Sequence, residues 1–559
     1  MIVLLAKTVL RSLDLLNTVY NEYIKYPSKP FVHDILKTIT RYSRIQGSTG
    51  LWNAVRDLKE IAEERGYTTR ILKIEPGTSK GFVETPISWN PVDAWIEIKL
   101  GDRAIATYRI TEHPTLLVAH SPGGEGCGSL SICREDTCSG EVVLAHGYTY
   151  DLYNNVDADL ILYYDENRYH EAFPYAGLFI KPGEEEKNKT IMTIPYKLAL
   201  HLMNIVLRRG KSLEVCWKAH VKYHNEGLPV LIACRGDEPG VVFISHICHP
   251  KPGAHDNASG SAANMVVLDV LGKVANAYKY SSCHIWVPEY TGTVFLYREL
   301  PWKPLGVVNL DMVGSKQYIT GSTLVVVNPP RFIRSLIAPA LWISVQKAMD
   351  RSSSFNGLAG PSIRYSLSPY SMGSDHDVFV AWGMDATMLN EWPSKYYHTD
   401  MDDLETIDPS NTVYAGLACT LAGYLLTKRK KELRSIADYY SSFIKSWYKL
   451  QAMKTGFSLN YLARYLLKKP VIERKESPIM ETPILSRTLY KILGRERYKA
   501  IRRIKGALAY LGVYAPLAEN IGINNHIRHY RAELLVSWKR NEEREVAEAW
   551  ETIKSALNI

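Results

Sequence analysis

The chain has 559 residues, 46% of them hydrophobic and 22% charged, with a formal net charge of +9. That length supports roughly two to four domains and an ample core, and the composition excludes a disordered or collagenous chain. No apolar run reaches the roughly 18 residues that a membrane helix needs, so no membrane partner is expected. The apolar start is broken by Lys7, Arg11 and Asp14 and lacks a small-residue cleavage site. A secretory signal is therefore not expected, and the protein is read as cytoplasmic.

The N-terminal third opens with Tyr42 to Gly50 and a helix-like stretch from Leu51 to Arg65, followed by Thr85-Pro86-Ile87-Ser88-Trp89-Asn90-Pro91. A strand-rich segment follows. Gly140 to Ala145, Val156 to Tyr164, Ala176 to Ile180 and Thr193 to Tyr196 read as strands, and an amphipathic helix runs on to about Arg209. These could be extra strands on a main sheet or a module of their own.

The next segment carries the chemistry. Val241-Val242-Phe243-Ile244 is a short β-branched run that reads as a buried strand, and Ser261 to Leu271 reads as a helix. Between them lie His246, Cys248, His249 and the words Gly253-Ala254-His255-Asp256-Asn257-Ala258-Ser259-Gly260. The blander reading is a strand–loop–helix connection with Asp256 and Asn257 as turn and capping residues. The pattern then repeats. Cys283 to Val287 delivers Glu289-Tyr290-Thr291-Gly292, and Leu305 to Leu310 delivers Asp311-Met312-Val313-Gly314. Gly373-Ser374-Asp375-His376 and Tyr396-Tyr397-His398-Thr399 follow. Acids and imidazoles thus recur where apolar runs stop, and open α/β sheets build their sites at the carboxyl ends of strands.

From Arg429 onward there are 26 Lys plus Arg against 13 Asp plus Glu, a net of +13 that leaves about −4 for the rest. Leu433, Ile436, Ala437, Tyr440, Phe443, Ile444, Trp447 and Tyr448 fall at helical spacing, a stripe that belongs to a core or to a subunit interface in a homo-oligomer. Further helices are expected over Tyr498 to Leu511 and Asn541 to Leu557. The basicity reads as a solvated helical face, since no nucleic-acid-binding motif is present and nucleic acid is not expected as a partner. Cys216, Cys234, Cys283 and Cys419 sit in apolar runs and are expected as buried free thiols. Cys127, Cys133 and Cys138 cluster in one loop whose spacing matches no common zinc finger, and neither a zinc site nor a disulfide is expected there.

The words from His246 to Asp400 resemble the zinc aminopeptidase family of the bacterial leucyl aminopeptidase and glutamate carboxypeptidase II type, in an aminopeptidase-like branch. Gly-Ala-His-Asp-Asn-Ala-Ser-Gly, Asn-Leu-Asp-Met-Val-Gly and Tyr-Tyr-His-Thr carry the likeness, and Trp89-Asn90-Pro91 resembles the same branch. The resemblance implies an α/β fold: a mixed open sheet with helices on both faces, a β-rich inserted domain similar to a protease-associated domain, and a helical C-terminal extension. The expected divisions are 1–95 for the N-terminal part of the peptidase core, 96–225 for the insert, 226–428 for the metallopeptidase core and 429–559 for the basic helical domain.

The resemblance further implies that Asp256 bridges or holds metal, that Asp311, His398 and His246 are ligands, and that Glu289, three residues before Gly292, is the general base. His249 is a further candidate, beside His246 or in its place. Two positions depart from the family. Cys248 stands where the family has an aspartate that orients its histidine, and Tyr290 stands where it has a second glutamate. Asp375, His376 and Tyr290 are placed near the substrate. The expected activity is a zinc-dependent exopeptidase, an aminopeptidase acting on peptides, with one or two zinc ions for which cobalt or manganese could substitute. A glutaminyl cyclase-like acyltransferase and a non-catalytic peptide-binding relative are the alternatives.

Overall fold

The computed structural model describes residues 17–133, 138–278, 281–428, 430–472 and 478–558. Its centre is an eight-stranded mixed sheet. Four neighbouring strands run parallel, in the order Ser282–Val287, Val241–His246, Gly306–Asp311 and Ala386–Trp392. Antiparallel strands flank them on both sides: Leu228–Arg235 and Thr68–Ile74 on one, Thr323–Val327 on the other, where Tyr365–Ser368 then pairs in parallel with that last strand.

The parallel strands are apolar throughout because both faces are covered. Along Val241–His246, Val241 and Phe243 enter one core while Val242 and Ile244 enter the other, the alternation that a pleated strand imposes. Helices Thr49–Glu64, Gly260–Tyr278, Ile337–Met349 and Pro409–Lys428 form the first face. The second face is covered by His376–Ala381 and by much of the C-terminal extension, through residues such as Tyr510, Leu517 and Trp550. The aromatic stripe lies on helix Lys430–Thr455, where Leu433, Tyr440, Ile444 and Tyr448 are core residues. The helix expected over Tyr498 to Leu511 is broken: Arg495–Arg503 ends before Gly506, whose φ of +79° is a left-handed turn.

A second, seven-stranded sheet stands apart, with its own core around Trp89, Ile96, Leu144, Leu162 and Ile191. Its strand Ser88–Leu100 runs across the expected division at residue 95, so Trp89, Asn90 and Pro91 belong to this sheet. No strand forms over Ala176 to Ile180. Phe179 adopts a φ of +48°, which breaks β geometry, and a single isolated bridge forms there, Ala119 with Gly177.

The cysteine expectation holds for Cys419, which is a buried free thiol, and is overturned for the other expected free cysteines. Cys127 pairs with Cys216, Cys133 with Cys138 and Cys234 with Cys283, while Cys248 and Cys419 are free. Two of these bonds join residues directly opposite in antiparallel strands, a register that the separations of 89 and 49 residues conceal. Disulfides persist in oxidising compartments and inside hyperthermophiles. Among the described residues no helix is long and apolar enough to cross a membrane.

Candidate metal centre

His246 is the last residue of strand Val241–His246, and Asp311 is the last of its parallel neighbour Gly306–Asp311. Asp256 lies between them, in the turn that leads into helix Gly260–Tyr278. The geometry centres on its carboxylate. Oδ1 stands 3.3 Å from His246 Nε2, which is also 3.3 Å from Asp311 Oδ1. Oδ2 stands 3.4 Å from His249 Nε2 and 3.1 Å from His398 Nε2. Two donor sets, His246–Asp256–Asp311 and His249–Asp256–His398, therefore share one carboxylate.

The chemistry of the donors fits a metal. Imidazole and carboxylate are usual zinc ligands. His249 Nε2 is buried and makes no well-formed hydrogen bond, with Asp256 Oδ2 3.4 Å away, a spacing that suits a cation held between them. Burial opposes charge on His246, yet the carboxylates of Glu289, Asp311 and Asp256 outweigh it and hold its imidazole protonated well above the ordinary range. That proton marks a place where the surroundings demand positive charge. Burial lowers His398 to about 4, leaving a neutral ring. Burial would raise Asp256, but His249, His246 and His398 hold it well below the usual carboxylate range.

Several residues fix this arrangement. Asp402 is 1% exposed and accepts the backbone N–H of His255 and of Asp256, both at 2.9 Å. Asn257 donates to the carbonyls of His246 and Leu310 and accepts from the N–H of Gly260 and Met312, tying both ligand strands to the helix start. Arg44, fully buried, donates to the carbonyls of Ile247, Pro252 and Gly253 and so shapes the His249 loop. Gly253 has a φ of +51°, and a Cβ there would meet His249 Nδ1 and Asp256 O. Tyr175, from the second-sheet module, packs its ring 4.7 Å from His249 and 4.9 Å from His398. Its N–H donates to His398 O at 2.7 Å, making the module a wall of the site. Asp402, Arg44 and Tyr175 escaped the sequence reading. Only Asp402 left a signal there, as a second acid shortly after His398.

Glu289 lies two residues beyond strand Ser282–Val287. Burial pushes its carboxyl well above the usual range; Asp375, Asp311 and Asp256 add to this and His246 opposes it. Cys248 Sγ accepts the Glu289 N–H at 3.1 Å, so this thiol positions the backbone of the expected base. Asp375 Oδ1 accepts from Tyr290 N at 2.8 Å and Thr293 Oγ1 at 2.5 Å, while its buried Oδ2 has no partner. Burial raises Asp375 to about 6.

Two of the residues placed near substrate are turned elsewhere. The Tyr290 hydroxyl donates to Asp377 Oδ2 at 2.5 Å, and His376 is fully buried with Nε2 3.0 Å from Ser371 O. Both are held by a second polar cluster around Asp377, which also takes Tyr370 and the N–H of Gly373. Glu391 is likewise sealed off, paired with His255 at 3.1 Å.

No family model and no curated protein matches the sequence. Among solved structures, a peptidase M28 precursor from Shewanella amazonensis aligns over 74% of this chain and 98% of its own, with 13% identity and a TM-score of 0.53. The fold is shared with that protein. A zinc aminopeptidase from Bacillus subtilis aligns over 73% of this chain and 98% of its own at 17% identity and a TM-score of 0.49. An aminopeptidase from an Aneurinibacillus strain aligns over 73% and 95%, at 18% identity and a TM-score of 0.47.

Proposed function

We propose that this protein is a two-metal exopeptidase, an aminopeptidase that removes N-terminal residues from peptides. The observation that carries the reading is the Asp256 carboxylate, whose two oxygens face two separate donor sets beside Glu289. His246, Asp256 and Asp311 would hold one ion, and His249, Asp256 and His398 the other. Zinc bound there supplies polarisation of the scissile carbonyl and acidification of the attacking water. Glu289 receives the proton of that water and passes it to the leaving amine.

His249 serves where the resembled family carries a second glutamate, since Tyr290 in that position is committed to Asp377. An aminopeptidase also needs an acid for the substrate ammonium. Glu391 is paired with His255, and Asp256 with three imidazoles, which leaves Asp375 and its unpartnered Oδ2. The second-sheet module corresponds to a protease-associated-like insert and contributes Tyr175 to the cleft.

The test is a peptide-library digest read by mass spectrometry, with zinc measured on the same sample. Loss of single N-terminal residues, abolished by a chelator and restored by zinc or cobalt, supports the reading. Metal-free protein with full activity, or a zinc-loaded protein that leaves every peptide intact, refutes it.

A further inference from the structure

A cleft of about 520 Å³ opens between the second-sheet module and the C-terminal helices, and none of the five candidate ligands lines it. Helix Arg495–Arg503 supplies one wall. Arg495, Lys499 and Arg502 recur at intervals of four and three residues and so share a helix face. The first two reach the carboxylate of Asp151, at 2.8 and 3.4 Å, and are compensated. Arg502 and Arg503 are exposed, and among the described residues neither has a carboxylate within ion-pair distance. Arg502 lies over the Tyr148 ring at 5.5 Å, and Tyr148 packs in turn against Tyr490 and Tyr498.

Arg168 stands on the opposite wall. Its buried Nε makes no hydrogen bond, although Asp165 is 3.3 Å away. Its guanidinium lies over the Tyr397 ring at 4.8 Å, and Tyr397 stacks on His398 with centroids 3.9 Å apart. One aromatic ring thus separates the cleft from a candidate metal ligand.

We infer that this cleft, through the exposed and unpaired Arg502 and Arg503, binds carboxylates on the substrate's chain beyond the scissile bond, so that the enzyme prefers peptides with acidic tails. The inference rests on the peptidase reading. Guanidinium groups are matched in shape to carboxylates, and a cleft that opens one ring from His398 lies where a departing chain can reach it. A nucleic-acid strand would also use arginine and tyrosine, but Arg502 and Arg503 are two adjacent charges, enough for one or two carboxylates and too few to track a phosphate at every nucleotide.

The test compares an aminoacyl anilide, a peptide with an alanine tail and the same peptide with a glutamate-rich tail, on wild type and on R502E/R503E. Wild type should favour the acidic tail in kcat/KM by about tenfold at low salt, and the double variant should lose that preference. The preference should also fade between about 0.05 and about 0.5 M salt. Equal use of both tails by wild type, or an undiminished preference in the variant, overturns the inference. The anilide has no tail, so its failure to react would count against the peptidase reading alone. In that case, anisotropy of a labelled acidic peptide decides the matter. Binding weakened about tenfold by R502E/R503E supports the cleft, and binding unaffected by it overturns the inference. A single-stranded oligonucleotide that displaces the acidic peptide at lower concentration also overturns it.

Discussion

Asp402→Asn isolates the contribution of a residue that touches no candidate ligand side chain. Each Asp402 oxygen accepts one backbone N–H at 2.9 Å, from His255 and from Asp256, and the group is buried. The amide keeps one acceptor and turns an NH2 toward the other N–H. One charge-assisted bond, worth about 1.5–3 kcal/mol, is lost, and the stranded N–H adds about 1–3 kcal/mol. Against this, burial already raises the Asp402 pKa, so neutralising it relieves a desolvation cost. The net expectation is about 2–4 kcal/mol less stability in denaturant unfolding of the metal-free protein. Because these bonds set the backbone that presents Asp256, zinc affinity should fall about 10- to 100-fold in competition with a chelator. Stability within about 0.5 kcal/mol of wild type together with unchanged zinc affinity would refute the argument that Asp402 positions Asp256.

Glu289→Gln should retain zinc while peptide turnover falls by about two to four orders of magnitude, and wild-type turnover with zinc bound would remove Glu289 from its role. His249→Ala should lower zinc content from about two ions per chain to about one, read by elemental analysis; two retained ions would exclude His249 as a ligand. Glu533 is buried and raised from 4.5 to about 7, so the folded state binds its proton more tightly than the unfolded chain does. Wild type should therefore lose about 1.4 kcal/mol per pH unit relative to Glu533→Gln between those two values, and a parallel pair of stability–pH curves would contradict this. Replacing Cys234 and Cys283 by serine opens a loop of 49 residues and should cost about 4 kcal/mol in non-reducing denaturation, whereas an unchanged midpoint would mean that no disulfide forms.

The strand ends were legible in the sequence because the signal there is local. An apolar run covered on both faces must stop where the chain leaves the sheet, and His246, Glu289 and Asp311 stand at or just beyond those stops. The Gly253 to Gly260 words were equally legible, since backbone crowding at Gly253 and Gly260 admits no side chain. What lay beyond local reach depended on which strands become neighbours. The pairing of Cys234 with Cys283 follows from antiparallel register, and nothing local brings His246 and His249 to the two oxygens of one Asp256 carboxylate. Tyr290 falls at the right place in the chain, but Asp377 on another element captures its hydroxyl. Arg44 and Tyr175 arrive from well before the ligand-bearing segment, and Asp402, just past His398, reaches back 146 residues to the N–H of Asp256, by contacts that no periodicity encodes. Sequence determined which side chains could do the chemistry, and tertiary structure decided which of them meet, because a polar group's partner is set by the packing of distant backbones and not by its neighbours along the chain.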